Sequence, residues 1–286
     1  MKITAIADTK GGVGKTTICA NLGAVCADVG LRTLLIDLDP TQPSLSSYYP
    51  LLSEAKGGIY DMLTSNVIDP ALVISSTTIP NLSLVLSNDV NNQLNNLLLQ
   101  APDGRLRLNH LMPALQDHFD LVLIDTQGAK SILVEMAALA SNLVVSPLEP
   151  NMLAAREFNR GTLQMLDGLR AYERLGMKIP PVKIVFNSTD LTNDAKMIEQ
   201  SVREVFKDSA EINVLESTVP AAVVFRSAAS MGKPAHRLEY RQPSDRESPS
   251  ALAVIRRLAI EVFPEWRERF ERLTQDAVKS LVKGGR

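Results

Sequence analysis

The stretch Ile3-Thr4-Ala5-Ile6-Ala7-Asp8-Thr9-Lys10-Gly11-Gly12-Val13-Gly14-Lys15-Thr16-Thr17 decides how this chain is built. Residues 3–7 read as a short buried strand. Thr16 to Val29 reads as a helix, stopped by Gly30. Between strand and helix lie three glycines and two lysines. Glycines let the backbone turn tightly and aim several N–H groups at one anion, and the helix N-terminus adds partial positive charge. Lys15 is then placed to reach the β- and γ-phosphates of a nucleotide, and the Thr16 hydroxyl to ligate Mg²⁺. Gly11, Gly12, Val13, Gly14, Lys15, Thr16 and Thr17 are the candidate nucleotide contacts.

Two more apolar runs end in acids. Leu34-Leu35-Ile36-Asp37-Leu38-Asp39-Pro40 puts Asp37 and Asp39 on one side of an extended chain near its carboxyl end. Leu121-Val122-Leu123-Ile124-Asp125-Thr126 ends in a single carboxylate, the form of a strand whose Asp holds Mg²⁺. Ligands of open α/β sheets bind at that end of the strands. Further apolar strands are expected at 82–86, 143–146, 182–186 and 214–219. Helical patterns at 93–99, 106–116, 131–140, 154–175, 194–206 and 222–231 separate most of them. Continuous apolar strands alternating with helices predict an α/β fold: a doubly wound, mostly parallel sheet with helices on both faces. Residues 41–80 are less regular, and 239–249 read as a linker or exposed loop. Beyond it two helical segments divide near Pro264, and Trp266, Phe270, Leu273, Ala277 and Leu281 form one apolar stripe. The expected organisation is one domain over 1–240, with a helical extension over 241–286 packed on it.

The chain has 286 residues, 45% hydrophobic and 22% charged, which excludes disordered, collagenous and disulfide-scaffold classes. No apolar run approaches the 18 residues of a membrane span, and the N-terminus lacks a signal-peptide pattern, so a cytoplasmic protein is expected. Cys19 and Cys26 read as small buried residues, and His110, His118 and His236 form no zinc pattern with them. The net charge of −2 hides an asymmetry: residues 226–286 carry 13 basic and 8 acidic side chains. A basic end on an acidic body suggests an anionic partner, either nucleic acid or a membrane surface.

The loop is not the usual G-x-x-x-x-G-K-[ST], because Thr9 stands where the first glycine belongs and Lys10 is added. In this it resembles the deviant Walker A loop, K-G-G-x-G-K-[ST], of the ParA/MinD family of ATPases. The resemblance covers about residues 1–240 and implies a P-loop NTPase fold with ATP and Mg²⁺ as cofactors. It implies that Lys10 crosses a homodimer interface to the ATP of the other subunit. The Asp37–Pro40 segment is similar to the family's D-x-D-P-Q, with Thr41 where Gln is usual. Asp39 would activate the attacking water and Asp37 would support the metal shell. After Asp125 the family continues D-T-P-P, and this chain reads Asp125-Thr126-Gln127-Gly128. Asn187 is expected to read adenine, Pro220 to lie beside the base, and the absence of N-K-x-D argues against guanine. Ser230-Met231-Gly232-Lys233-Pro234 resembles the S-x-G-K-P of partition-type members, although Ala221 and Val224 occupy the usual arginine positions.

What this resemblance implies is a weak ATPase for plasmid, chromosome or mobile-element partition, catalysed through Lys10, Lys15 and Asp39. The ATP dimer would bind duplex DNA without sequence preference, nucleoid-associated in the cytoplasm, and a ParB-like partner would stimulate hydrolysis. Candidate DNA contacts are Arg226, Lys233, Arg237, Arg241 and Arg246. With so little chain before Lys2, no N-terminal helix-turn-helix domain is expected. Two rivals remain: a membrane-positioning ATPase of the MinD type, using Ala277, Val278, Leu281 and Val282 with Lys279 and Lys283 as a lipid-binding helix, and a non-hydrolysing scaffold that dimerises on nucleotide.

Overall fold

A computed structural model describes residues 1–65, 69–190, 192–244 and 248–284. Among these described residues nine strands form one sheet: β1 (Lys2–Ile6), β2 (Thr33–Leu38), β3 (Leu51–Ser53), β4 (Ser75–Thr77), β5 (Leu82–Val85), β6 (Leu121–Thr126), β7 (Leu143–Leu148), β8 (Val182–Thr189) and β9 (Ile212–Pro220). Their order is β3-β4-β5-β2-β6-β1-β7-β8-β9. From β5 to β9 every pair is parallel, and β3 and β4 add an antiparallel edge. This edge lies in the stretch that reads as irregular. Its strands have three residues each and a Ser/Thr-rich composition, too short for a period to register.

Alternation along the strands builds two cores. Ile3, Ala5, Leu34, Ile36, Val122, Ile124 and Phe186 face one helical layer, which includes Ile132–Ala140 and Asn193–Phe206. Ile6, Leu35, Leu121, Leu123, Val145 and Val185 face the other, which includes Lys15–Asp28, Val223–Met231 and Ala251–Val262. The sheet is thus covered on both faces, as its near-continuous apolar strands require.

The expected helix over 154–175 is broken. An α-helical piece, Met152–Glu157, runs into a π-helical turn, Phe158–Leu163, then Gln164–Gly168, then a 3₁₀ segment, Leu169–Leu175. The expected second tail helix is also divided, into Arg267–Glu271 and Gln275–Gly284, with the Thr274 hydroxyl accepting from the Ala277 amide at the new start. Phe270 and Val278 are fully buried in the second core, so the tail's apolar stripe is covered by its own chain. Lys183 Nζ donates to the Glu261 and Val262 carbonyls at the end of Ala251–Val262, at 2.6 and 3.1 Å, anchoring the extension to β8.

Candidate functional site

β6 lies between β2 and β1, so three strands deliver their carboxyl ends side by side. Asp37 is level with Asp125, and Asp125 with Ile6, two residues before Asp8. The loop leaves β1 through Asp8, whose Oδ1 accepts from the Lys10 amide at 2.7 Å and whose Oδ2 accepts from the Ser146 hydroxyl at 2.9 Å. Asp8 escaped the sequence reading. Its signal was present, because it follows an apolar strand as Asp37 and Asp125 do.

Gly12 and Gly14 take left-handed backbones, φ 78° and 90°. At Gly14 a Cβ would also lie 2.2 Å from Asn187 Nδ2, so this position has room for no side chain. Among the described residues, none of the backbone amides of 11–17 donates within the chain. These open amides and the N-terminus of Lys15–Asp28 make a nest for an anion. Lys15 is buried, and its Nζ donates to the Lys10 carbonyl at 2.8 Å. Burial pulls its ammonium below the ordinary value, while Asp8, Asp125 and Asp39 pull it back up. A partly desolvated cation beside open amides suits a polyphosphate.

The acids divide their work. Thr16 Oγ1 donates to Asp125 Oδ2 at 2.6 Å, and Asp125 Oδ1 is buried with no partner among the described residues. Burial, reinforced by the charge of Asp37, pushes the Asp125 carboxyl up to about 8. An orphaned carboxylate oxygen beside a threonine hydroxyl offers the hard oxygen ligands that Mg²⁺ takes. Among the described residues no cluster of three or more His, Cys, Asp or Glu could hold an ion unaided. The pair therefore fits an ion shared with nucleotide phosphates. Asp37 is fully buried, and burial raises it to about 6. Its Oδ2 accepts from the Ser46 amide and hydroxyl, both at 2.7 Å, and its Oδ1 from the Asp39 amide at 3.1 Å. In this arrangement Asp37 acts on Asp125 through its charge and on Asp39 through the backbone. Asp39 Oδ1 accepts from the Thr41 and Gln42 amides at 3.0 and 2.9 Å.

On the other side, Asn187 is level with Val219 and Thr189 with Pro220. The structure thus brings Asn187 and Pro220 together at the edge of the loop. Asn187 Nδ2 donates to the Val13 carbonyl at 2.8 Å, so this side chain braces the phosphate loop.

Lys10 Nζ lies 3.5 and 3.7 Å from the carboxylates of Glu149 and Glu157. Its neighbour Thr9 donates its amide to the fully buried Thr162 hydroxyl at 3.1 Å. A Cβ on Gly161 would meet Thr9 Oγ1 at 1.9 Å. The π-helical turn is thus the seat of the loop's first residues, in keeping with the frequency of π-bulges at functional sites. Glu149, Glu157, Gly161 and Thr162 carry no local pattern that marks them, because their meaning comes from a contact more than 130 positions away in sequence.

The basic candidates do not form one patch. Arg226 is exposed in the first turn of Val223–Met231, near the carboxyl end of β9. Lys233 and Arg237 line a groove of about 1160 Å³ at the opposite end of the sheet, with Asp28, Pro80, Arg269, Arg272 and Leu281. The expectation for Arg237 needs correction. Its guanidinium grips the buried Asp28, which also meets His236 Nε2 at 2.8 Å. Burial alone would raise the Asp28 carboxyl; the hydrogen bonds from Arg237 and His236 override it and hold it below the ordinary range. Arg237 is therefore a structural ion-pair partner. Arg241 is exposed beside the Tyr240 ring, and Arg246 lies outside the described residues.

Comparison with known proteins agrees with this geometry. A family model described as an AAA domain matches residues 1–173. Soj of Bacillus subtilis, a sporulation initiation inhibitor protein, is 30% identical over 82% of this chain and 89% of its own. The chromosome partitioning protein ParA of Caulobacter vibrioides is 28% identical over 82% and 86%. Among solved structures, apo McdA of Cyanothece superposes with a TM-score of 0.72 at 20% identity, covering 98% of each chain, and the ATP complex of an Asp-to-Ala variant of McdA with 0.70 at 20% identity over 98% and 96%. The two lysines flanking the glycines, the carboxylates ending β2 and β6, the P-loop NTPase fold and these relatives agree: this chain belongs to the AAA-domain family and, within it, to the ParA/MinD group of P-loop ATPases.

Proposed function

We propose that this chain is a partition ATPase that hydrolyses ATP with Mg²⁺, pairs with a second copy around the nucleotide, and binds duplex DNA in that state. The observation that carries the reading is the division of labour between the two lysines. Lys15 is buried and donates into its own loop, whereas Lys10 is half-buried and paired with Glu149 and Glu157. A lysine at the rim of the nest is available to a second subunit's phosphates once those carboxylates release it. Thr16 and Asp125 would hold Mg²⁺, which supplies charge neutralisation for the transferring phosphoryl group. The open amides of 11–17 would bind the phosphates, Asn187 and Pro220 would border the base, and Asp39 would orient the attacking water. Positioning and charge, with little covalent chemistry, suffice for such a transfer. The printed role of the Caulobacter ParA, chromosome partitioning, supports a partition role; the motif resemblance adds a ParB-like centromere-binding protein as the stimulating partner. The packing of the last helix favours this reading over the lipid-binding one: Val278 is fully buried and Ala277 and Leu281 pack on the core, which leaves Val282 as the exposed apolar residue of the four.

Light scattering with ATP and Mg²⁺ tests it. Lys15→Ala is expected to lose nucleotide affinity, because the phosphates lose their cation. Lys10→Ala is expected to keep nucleotide and remain monomeric. A Lys10→Ala protein that dimerises like the wild type would refute the crossing role.

A further inference from the structure

The two places where the motifs depart from the family pattern meet in space. Thr41 stands where the D-x-D-P-Q pattern has its Gln, and Gln127-Gly128 stand where D-T-P-P has its prolines. Thr41 Oγ1 donates to Gln127 Oε1 at 3.2 Å across 86 positions of sequence. The Thr41 amide donates to Asp39 Oδ1 at 3.0 Å. Asp39, Thr41 and Gln127 therefore form one hydrogen-bonded chain joining the loop after β2 to the loop after β6. Gly128 continues that second loop onto the phosphate loop. A Cβ at Gly128 would lie 2.4 Å from Gly11 Cα and 2.7 Å from the Gly11 amide nitrogen, so no side chain, and no proline ring, fits there.

From this we infer that Thr41 and Gln127 are positioning residues for hydrolysis: together they hold the Asp39 carboxylate in register with the phosphate loop. The physical case rests on what Asp39 lacks by itself. Among the described residues its Oδ1 accepts only from amides of its own turn, at Thr41 and Gln42, while its backbone carbonyl accepts from the Ser87 hydroxyl at 3.1 Å. Those bonds, with the one from the Asp39 amide to Asp37 Oδ1, hold the start of the turn and leave its Thr41 side to be fixed from elsewhere; a water-orienting carboxylate loses rate when displaced by about an ångström. Gln127 sits two residues beyond Asp125, on a strand end that is level with Asp37. Anchoring Thr41 to Gln127 thus ties the turn to the rigid end of β6. The closed approach of Gly128 to Gly11 ties the same loop to the nest that holds the phosphates.

The inference rests on the proposed role of Asp39, and the test separates the two. Full-length protein loaded with ATP and Mg²⁺ is followed by single-turnover phosphate release, with nucleotide affinity measured in parallel. Thr41→Val and Gln127→Ala are each expected to lower the hydrolysis rate about fivefold, the rate equivalent of one net hydrogen bond. ATP affinity should stay within about twofold, because neither side chain contacts Lys15, Thr16 or the open amides. The double variant should be about as slow as either single variant, since both remove the same bond. Thr41→Ser, which keeps the hydroxyl, should recover the wild-type rate. Multiplying losses in the double variant, unchanged rates in the single variants, or failure of Thr41→Ser to recover would each overturn the inference. Asp39→Ala is run alongside. If it hydrolyses ATP normally, the role of Asp39 itself falls; if it is inactive while the Thr41 and Gln127 variants are unaffected, only the positioning link falls.

Discussion

Replacing Gly161 by alanine sets two physical effects against each other, and the sign of the result decides whether the π-helical turn seats the phosphate loop. Helix propensity alone favours alanine over glycine by up to about 1 kcal/mol in a helical interior. The contact geometry opposes it. The added Cβ would lie 1.9 Å from Thr9 Oγ1 and 3.1 Å from Thr9 Cβ. An ordinary contact begins near 3.4 Å, so the two elements must separate by about 1.5 Å. Thr9 has little freedom to yield, because its χ1 is restricted by β-branching and its amide is held by the Thr162 hydroxyl. Overpacking of this kind costs about 1–3 kcal/mol. The net expectation is a loss of about 1–2 kcal/mol, or a melting temperature about 2–3 °C lower for a chain of this size. The same displacement moves Lys10, one residue beyond Thr9, so ATP-dependent dimerisation should weaken with it. Differential scanning calorimetry and light scattering measure the two effects. Thr9→Ala in the Gly161→Ala background removes the 1.9 Å conflict, leaves only the 3.1 Å one, and should restore both. A Gly161→Ala protein that melts higher than wild type and dimerises normally would show that propensity wins and that the turn is not a seat.

Asp39→Ala should bind ATP and dimerise yet hydrolyse at least about tenfold more slowly, a barrier change of about 1.4 kcal/mol, and turnover within about twofold of wild type would remove it from the chemistry. Asp28 is held below its ordinary pKa of 3.8, so its ion pair contributes stability above about pH 4 and loses it as the pH falls through the lowered folded value. Asp28→Asn should accordingly flatten the acid limb of a stability-versus-pH profile and cost about 3 kcal/mol at neutral pH by stranding Arg237, and an unchanged acid limb would assign it to other groups. For DNA, Arg226→Glu should lower the affinity of the ATP-bound protein and reduce the log–log salt slope by about 0.9 for each phosphate left without a cation. Arg237→Ala should instead destabilise the fold while leaving binding per folded molecule unchanged; the opposite pattern in filter-binding titrations would return Arg237 to the DNA surface.

The phosphate loop, the parallel strands and the acids ending β2 and β6 were legible because each is a local property of the chain. Glycines next to Lys-Thr between a strand and a helix define an anion nest wherever the rest of the chain goes, and apolar runs ending in aspartate place that aspartate at the strand's carboxyl end. Asp8 was legible by the same rule. The sequence by itself therefore determined the layer architecture, the end of the sheet that binds nucleotide and most of the residues that would touch phosphate and metal. Tertiary structure alone decided what those residues do next. It set Lys10 against Glu149 and Glu157, turned Arg237 from a surface candidate into the partner of Asp28 across 209 positions, and broke the helix over 154–175 where Gly161 meets Thr9. It also joined Thr41 to Gln127. Each of these depends on close approach between segments far apart in sequence, and such approaches are governed by packing that periodicity and propensity do not encode.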